Sequence, residues 1–180
     1  MKRNEEKGLI IVGYQGIGKT SVASARNRII DLESSSFKRH GDRSPDWYVI
    51  YCRIAVSLAR EGFVVLLSSH QKVVTELDFY NPKGDYTVVI ITPNYILKDL
   101  WIDRLHHRFL NDSSEKNEIA WKDAESNYDT EIEWLASYPK FSHIFIDSMD
   151  YSLSGIISGL RMINRSHANP LLTDRITEGC

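Results

Sequence analysis

The chain has 180 residues, 42% of them hydrophobic and 26% charged, enough for one well-filled core and too few for two ordinary domains joined by a linker. A formal net charge of −2 argues against nucleic acid as an obligatory partner, which usually leaves a basic footprint, and no apolar run reaches the roughly 18–20 residues of a membrane helix. Two cysteines, Cys52 and Cys180, make no disulfide framework, and the charged start Met1-Lys2-Arg3-Asn4-Glu5-Glu6-Lys7 carries no export signature, so a single domain over 1–180 in reducing cytoplasm is expected.

The first element is a strand over Leu9 to Val12, followed directly by Gly13-Tyr14-Gln15-Gly16-Ile17-Gly18-Lys19-Thr20, a complete G-x-x-x-x-G-K-[ST] motif. In such a phosphate-binding P-loop, backbone N–H groups wrap around a polyphosphate, and a Cβ at Gly13 or Gly18 would obstruct its approach. Lys19 is expected at the β- and γ-phosphates and the Thr20 hydroxyl on Mg²⁺. Gly13, Gln15, Gly16, Ile17, Gly18, Lys19, Thr20 and Ser21 form the expected ATP-binding set.

A short helix over Lys19 to Arg26 leads to a second strand at Arg28 to Leu32, then to the breaker-rich run Arg39 to Pro45. Ser44-Pro45 reads as a helix N-cap and first turn. From Asp46 to Glu61 the residues Trp47, Ile50, Tyr51, Ile54 and Leu58 recur at helical spacing and predict a buried stripe, with Cys52 as packing. Phe63 to Ser68, Tyr86 to Thr92 and Ser142 to Asp147 are continuous β-branched runs, the pattern of strands covered on both faces. Helices are expected over Lys98 to Leu110, Glu118 to Tyr138 and Leu153 to Ile163, with Asn111 to Asn117 as a polar linker that could form a mobile lid tip. Five strands with helical crossovers predict a three-layer α/β/α fold on a parallel sheet.

Asp31 and Glu33 end the second strand and project to the same side, into the crevice where an open parallel sheet binds ligands. One carboxylate is placed to organise magnesium water or take a proton, and the other, with Ser34 to Ser36, to hold a second substrate. Arg43 is a further acceptor-side candidate, and Trp47-Tyr48 a possible pocket wall, Trp47 also fitting the core. Arg104 and Arg108 share a helix face at the apolar border beside Leu97 and Trp101, pointing inward, and arginine suits phosphoryl transfer because its fork grips phosphate oxygens twice. His106 and His107 splay apart on that helix and make no metal site. Ser68-Ser69-His70 ends the third strand without the acidic residue that often holds magnesium in P-loop proteins. In the segment 118–138, Ala120, Ala124, Tyr128, Ile132 and Leu135 form one apolar stripe on an otherwise acidic helix.

This order of motifs resembles the P-loop nucleoside monophosphate kinases, particularly the guanylate-kinase-like branch, across nearly the whole chain: G-Y-Q-G-I-G-K-T, Asp31-Leu32-Glu33-Ser34-Ser35, Val88 to Asn94 before an arginine-bearing helix, and an acidic helix leading to Ile144-Phe145-Ile146-Asp147. The resemblance implies a P-loop NTPase fold with a five-stranded parallel sheet, an acceptor-binding insertion near 34–61 and a helical lid near 98–117. It implies Lys19 and Thr20 on ATP-Mg²⁺, Arg104 and Arg108 as lid arginines, and Asp31, Glu33, Ser34 and Arg43 on the acceptor side. The short Lys19 to Asp31 interval makes the first helix truncated relative to most such kinases, and the second-strand carboxylates also resemble those of shikimate- and gluconate-type kinases.

The expected activity is therefore transfer of the ATP γ-phosphoryl group to a small acceptor, a nucleoside or deoxynucleoside monophosphate, with Lys19, Arg104, Arg108 and Asp31 as catalytic residues, in a monomer or homodimer. A metabolite kinase of the shikimate or gluconate type and a nucleotide-binding regulatory module are the alternatives. A GTPase switch is disfavoured because no N-K-x-D motif occurs.

Overall fold

The apolar run that opens the computed structural model, which describes residues 7–39, 42–80 and 85–168, is a strand buried at every position, β1 (Gly8–Gly13). A short helix α1 (Lys19–Val22) follows, then β2 (Ile29–Asp31) and an antiparallel pair, β3 (Lys38–Arg39) with β4 (Asp42–Arg43). The remaining elements are α2 (Trp47–Arg60), β5 (Val64–Ser68), α3 (Gln71–Tyr80), β6 (Tyr86–Pro93), α4 (Lys98–Asn111), α5 (Glu115–Ser137), β7 (Ser142–Ile146) and α6 (Leu153–Ala168).

Five strands form one sheet in the order β2-β5-β1-β6-β7, with every neighbouring pair parallel. Parallel neighbours need crossover connections, and these supply the two helical layers. α2 lies against β1 and β5 beside α3, and the turn that follows α5 is tied to α3 by Tyr138 and Lys140, both bonded to Asp78. α1 and α6 touch each other in the second layer. Burial of β1 and most of β5 and β6 on both faces explains their unbroken apolar runs.

The first helix ends at Val22, its fourth residue, instead of running to Arg26. Ala23 turns extended (ψ 127°), Ser24 bridges to Ile29, and a 3-10 turn over Ala25–Asn27 closes on Arg28 in the left-handed region. α2 starts at Trp47 with Asp46, not Ser44, at its N-cap; the Ser44 hydroxyl donates to the Asp46 carboxylate instead. Its buried stripe is also rotated from the expected one. Trp47, Tyr51, Cys52, Ala55, Val56 and Ala59 face the core, while Ile50 and Ile54 are exposed.

α5 buries Ala120, Ala124, Tyr128, Ile132 and Leu135 as its spacing predicts. It begins at Glu115, so the presumed linker 111–117 shrinks to three residues between α4 and α5. The helix α3 is absent from the sequence reading, and α6 runs five residues beyond Ile163. No helix among the described residues is long and apolar enough to cross a membrane.

Candidate functional site

The P-loop rises from β1 where its register partners are Ser68 of β5 and Ile91 of β6. The Tyr14 N–H donates to the Ile91 carbonyl at 3.0 Å, fixing the start of the loop above the sheet. Gly16 and Gly18 have φ of 84° and 85°, a left-handed backbone that glycine adopts without a Cβ penalty. Gly18 is needed for this dihedral and not for room, since open space lies where its Cβ would be; at Gly13 a Cβ would lie 2.2 Å from the Ile17 side chain. Lys19 folds back inside the turn, donating to the Gly13 and Tyr14 carbonyls at 2.7 and 3.2 Å.

Burial lowers the Lys19 ammonium to about 8, against the opposing pull of Asp31 and Glu33, with Lys116 and Arg108 adding like-charge repulsion. Three cationic side chains and two carboxylates thus act on one another at the mouth of the loop. The Thr20 hydroxyl donates to Asp31 at 2.7 Å, bridging the sequence gap between the P-loop and β2. Burial raises the Asp31 carboxyl, and the Thr20 bond partly offsets that rise.

β5 ends at Ser68 without a carboxylate, as its sequence says. The position is filled from α2: Tyr51 donates its hydroxyl to the Leu32 carbonyl at 2.6 Å and accepts from the Ser68 N–H at 3.0 Å. Burial pushes this hydroxyl up to about 12, so it stays protonated. Thr20 and Asp31 are the residues that fit magnesium, a hard cation bound through few protein oxygens, with phosphates and water supplying the rest.

The α4–α5 hairpin closes the other side of the site. Arg108 is half-buried and donates through Nε to Asn117 at 2.6 Å, while Asn117 caps back onto the Asp112 carbonyl and carboxylate at 2.8 Å each. Lys116 bonds Glu33 at 2.6 Å, and Lys38 approaches Glu115 at 4.0 Å, tying the hairpin tip to the segment after β2. Arg104 turns elsewhere. Its guanidinium lies 5.2 Å from the Trp101 ring and 5.6 Å from the Tyr151 ring, and it borders a cleft of about 160 Å³ with Ile17, Gly18, Ser21, Val22 and Leu153. The two arginines read as a pair therefore serve different ends of the loop.

Of the remaining candidates, Ser34 is buried at the start of a 3-10 turn, Ser34–Phe37. Arg43 lies in β4, and its side chain falls outside the described residues. Trp47 is core, packed on Tyr48, Tyr51 and His70. His106 stacks on Trp121 and His107 pairs with Asp103, so the two histidines splay apart as expected. The sequence reading missed Tyr51, Lys116, Asn117 and Tyr151 as site residues. Lys116 and Asn117 carried a local signal, being a cation and an amide eight and nine residues past Arg108, within the expected polar linker 111–117.

No family model matches the chain, and no curated protein sequence matches it significantly. Among solved structures, it is similar to a gluconokinase from Sinorhizobium meliloti 1021, with a TM-score of 0.52 at 14% identity, over 96% of this chain and 99% of that one. A shikimate kinase from Bacteroides thetaiotaomicron aligns with a TM-score of 0.48 at 15% identity, over 92% of this chain and 97% of that one. The five-stranded parallel sheet flanked by helices is an α/β fold that the chain shares with that gluconokinase.

Proposed function

We propose that the protein transfers the γ-phosphoryl group of ATP to a hydroxyl of a small, non-nucleotide metabolite. The observation that carries this reading is the set of five charges around the loop: Lys19, Arg108 and Lys116 facing Asp31 and Glu33. The cations offset phosphate charge, and catalysis of this kind is mostly positioning and charge stabilisation. The carboxylates favour an acceptor that donates hydrogen bonds, as sugar-acid and polyol hydroxyls do. A nucleoside monophosphate, the acceptor first inferred from the sequence, would bring a second phosphate against both carboxylates, and the fold shared with a gluconokinase also supports the metabolite.

In this reading Lys19 leaves its loop carbonyls for the phosphates. Thr20 and Asp31 would hold magnesium, which would supply charge shielding at the phosphate oxygens. Glu33 orients the acceptor hydroxyl and takes its proton as the new P–O bond forms and the bond to the β,γ-bridging oxygen breaks. Arg104 and Tyr151 flank the nucleoside end.

The test is ADP release from Mg-ATP with hydroxy acids, polyols and nucleoside monophosphates added singly, using Lys19→Ala as the control. Stimulation by a hydroxylated metabolite, lost in the variant, is the expected result. Stimulation by a nucleoside monophosphate alone restores the nucleotide-kinase reading, and ATP binding with no stimulation by any compound favours a regulatory module.

A further inference from the structure

The crest of the P-loop is held from outside by α4. Trp101, wholly buried, donates its indole Nε1–H to the Gln15 carbonyl at 2.9 Å across 86 residues of sequence. The same side chain and Leu105 lie against Gly16, where a Cβ would meet Leu105 at 2.9 Å and the indole nitrogen at 3.3 Å. A trans peptide is planar, with its C=O and N–H pointing in opposite directions. Anchoring the Gln15 carbonyl on α4 therefore turns the Gly16 N–H away from α4, toward the side of the loop that receives phosphate. The indole ring also stacks on Tyr151, with centroids 5.9 Å apart and planes inclined by 24°, and carries Arg104 above it.

We propose that Trp101 is a positioning residue that sets the orientation of the Gln15–Gly16 peptide and so supplies the P-loop with one of its phosphate-binding N–H groups. A glycine-containing peptide at positive φ has little of its own to resist a flip, and the indole bond provides that resistance. Side-chain ties at the same place do not replace it: Gln15 also bonds Asp123 at 3.2 Å, but through its amide group, which leaves the backbone plane free. The inference rests on the reading of this loop as a polyphosphate cradle.

The experiment is calorimetric binding of Mg-tripolyphosphate and Mg-ATP to the full chain, comparing wild type, Trp101→Phe and Asp123→Ala. Phenylalanine keeps an aromatic ring beside Tyr151 and Arg104 and removes the donor together with the five-membered ring that carries it. Trp101→Phe is expected to weaken both ligands about tenfold, the scale of one hydrogen bond to a charged group, and by the same factor for each because the loss lies at the phosphates. Asp123→Ala is expected to stay within about twofold, since it breaks the Gln15 side-chain tie and leaves the Trp101 bond to the Gln15 carbonyl in place.

In steady state the Trp101→Phe defect appears in KM for ATP more than in kcat. Equal tripolyphosphate affinity in wild type and Trp101→Phe overturns the inference while leaving the cradle intact. Absence of tripolyphosphate and ATP binding in the wild type overturns the cradle and the inference together. Should the phenylalanine variant fail to fold, the Trp101 indole N–H of the wild type is followed by NMR. Slow hydrogen exchange and a shift on adding Mg-tripolyphosphate support the role, and fast exchange with no shift refutes it.

Discussion

Raising the pH through the titration of Lys19 is the most direct perturbation of the proposed phosphate site. Burial brings this lysine from the ordinary 10.5 to about 8. Polyphosphate around the ammonium favours its charged form, so the bound protein keeps the proton that the free protein loses. With a free pKa of about 8, roughly one site in eleven remains protonated at pH 9, and linkage then weakens Mg-ATP binding about tenfold relative to pH 7. At pH 9.5 the loss is about thirtyfold by the same relation. The assay is calorimetric titration with a non-hydrolysable Mg-ATP analogue at fixed ionic strength between pH 7 and 9.5. Lys19→Arg, which keeps its charge throughout, is expected to give a flat profile. The stability sign runs the other way: the unfolded chain binds more protons between pH 8 and 10.5, so the cost of burying this charge is relieved as pH rises through that window. Wild-type affinity that is constant to pH 9.5 would refute the assignment of a buried, depressed lysine at the phosphates.

Tyr51→Phe removes the hydroxyl that joins Leu32 to Ser68 and leaves those backbone groups short of a partner, so a loss of about 1–3 kcal/mol is expected in urea unfolding, whereas an unchanged midpoint would show that water replaces it. Glu131 is lifted from the ordinary 4.5 to about 7 by burial, with repulsion from Asp123 added and the Tyr14 hydroxyl relieving part. Between those values the native state binds the extra proton, so stability falls as pH rises through the window. Glu131→Gln is therefore expected to be more stable than wild type at pH 8, by about 1–3 kcal/mol after discounting partial exposure, and equal to it near pH 4.5. Parallel stability–pH profiles for the two proteins would show that Glu131 does not titrate in this range.

The strands and the loop were legible because their signals are local: β1, β5 and β6 are unbroken apolar runs, and the P-loop is spelled by contiguous residues. The buried face of α2 was misread for a reason that lies in packing. Hydropathy selects the large residues Ile50 and Ile54, but α2 approaches β1 so closely that a Cβ on Gly8 would lie 1.8 Å from the Ala59 carbonyl oxygen. Only a face containing Cys52, Ala55 and Ala59 permits that approach. α3 escaped notice because its interior, Val73, Val74 and Leu77, spans little more than one turn and shows no repeated period. The site was half legible. Lys19, Thr20, Asp31, Glu33 and Arg108 follow from motif and spacing, whereas Tyr51, Trp101 and Tyr151 act through contacts formed only on folding, such as the bond of Trp101 across 86 positions.

These contacts also decide which part of the expected lid can move. The base of α4 is fastened to the P-loop through Trp101 and Leu105, each almost wholly buried, and lifting it would expose both side chains at a cost of about 1.5–3 kcal/mol apiece. The tip of the hairpin is joined to the acceptor side by Lys116–Glu33 and Lys38–Glu115. Their side chains are 56% and 33% exposed in the first pair and 33% and 79% in the second, and exposed pairs contribute roughly 0–1 kcal/mol each. Opening the tip therefore costs less than releasing the base. The proposed transfer requires the site to admit an acceptor and then exclude water, and in that reading the segment around 112–116 moves while α4 keeps Arg104 and the loop crest in register. In the proposed reaction the Glu33–Lys116 pair gains a place in the cycle: an acceptor that takes Glu33 displaces Lys116 and leaves an ammonium on the Lys19 side of the site, where the transferred phosphate needs it.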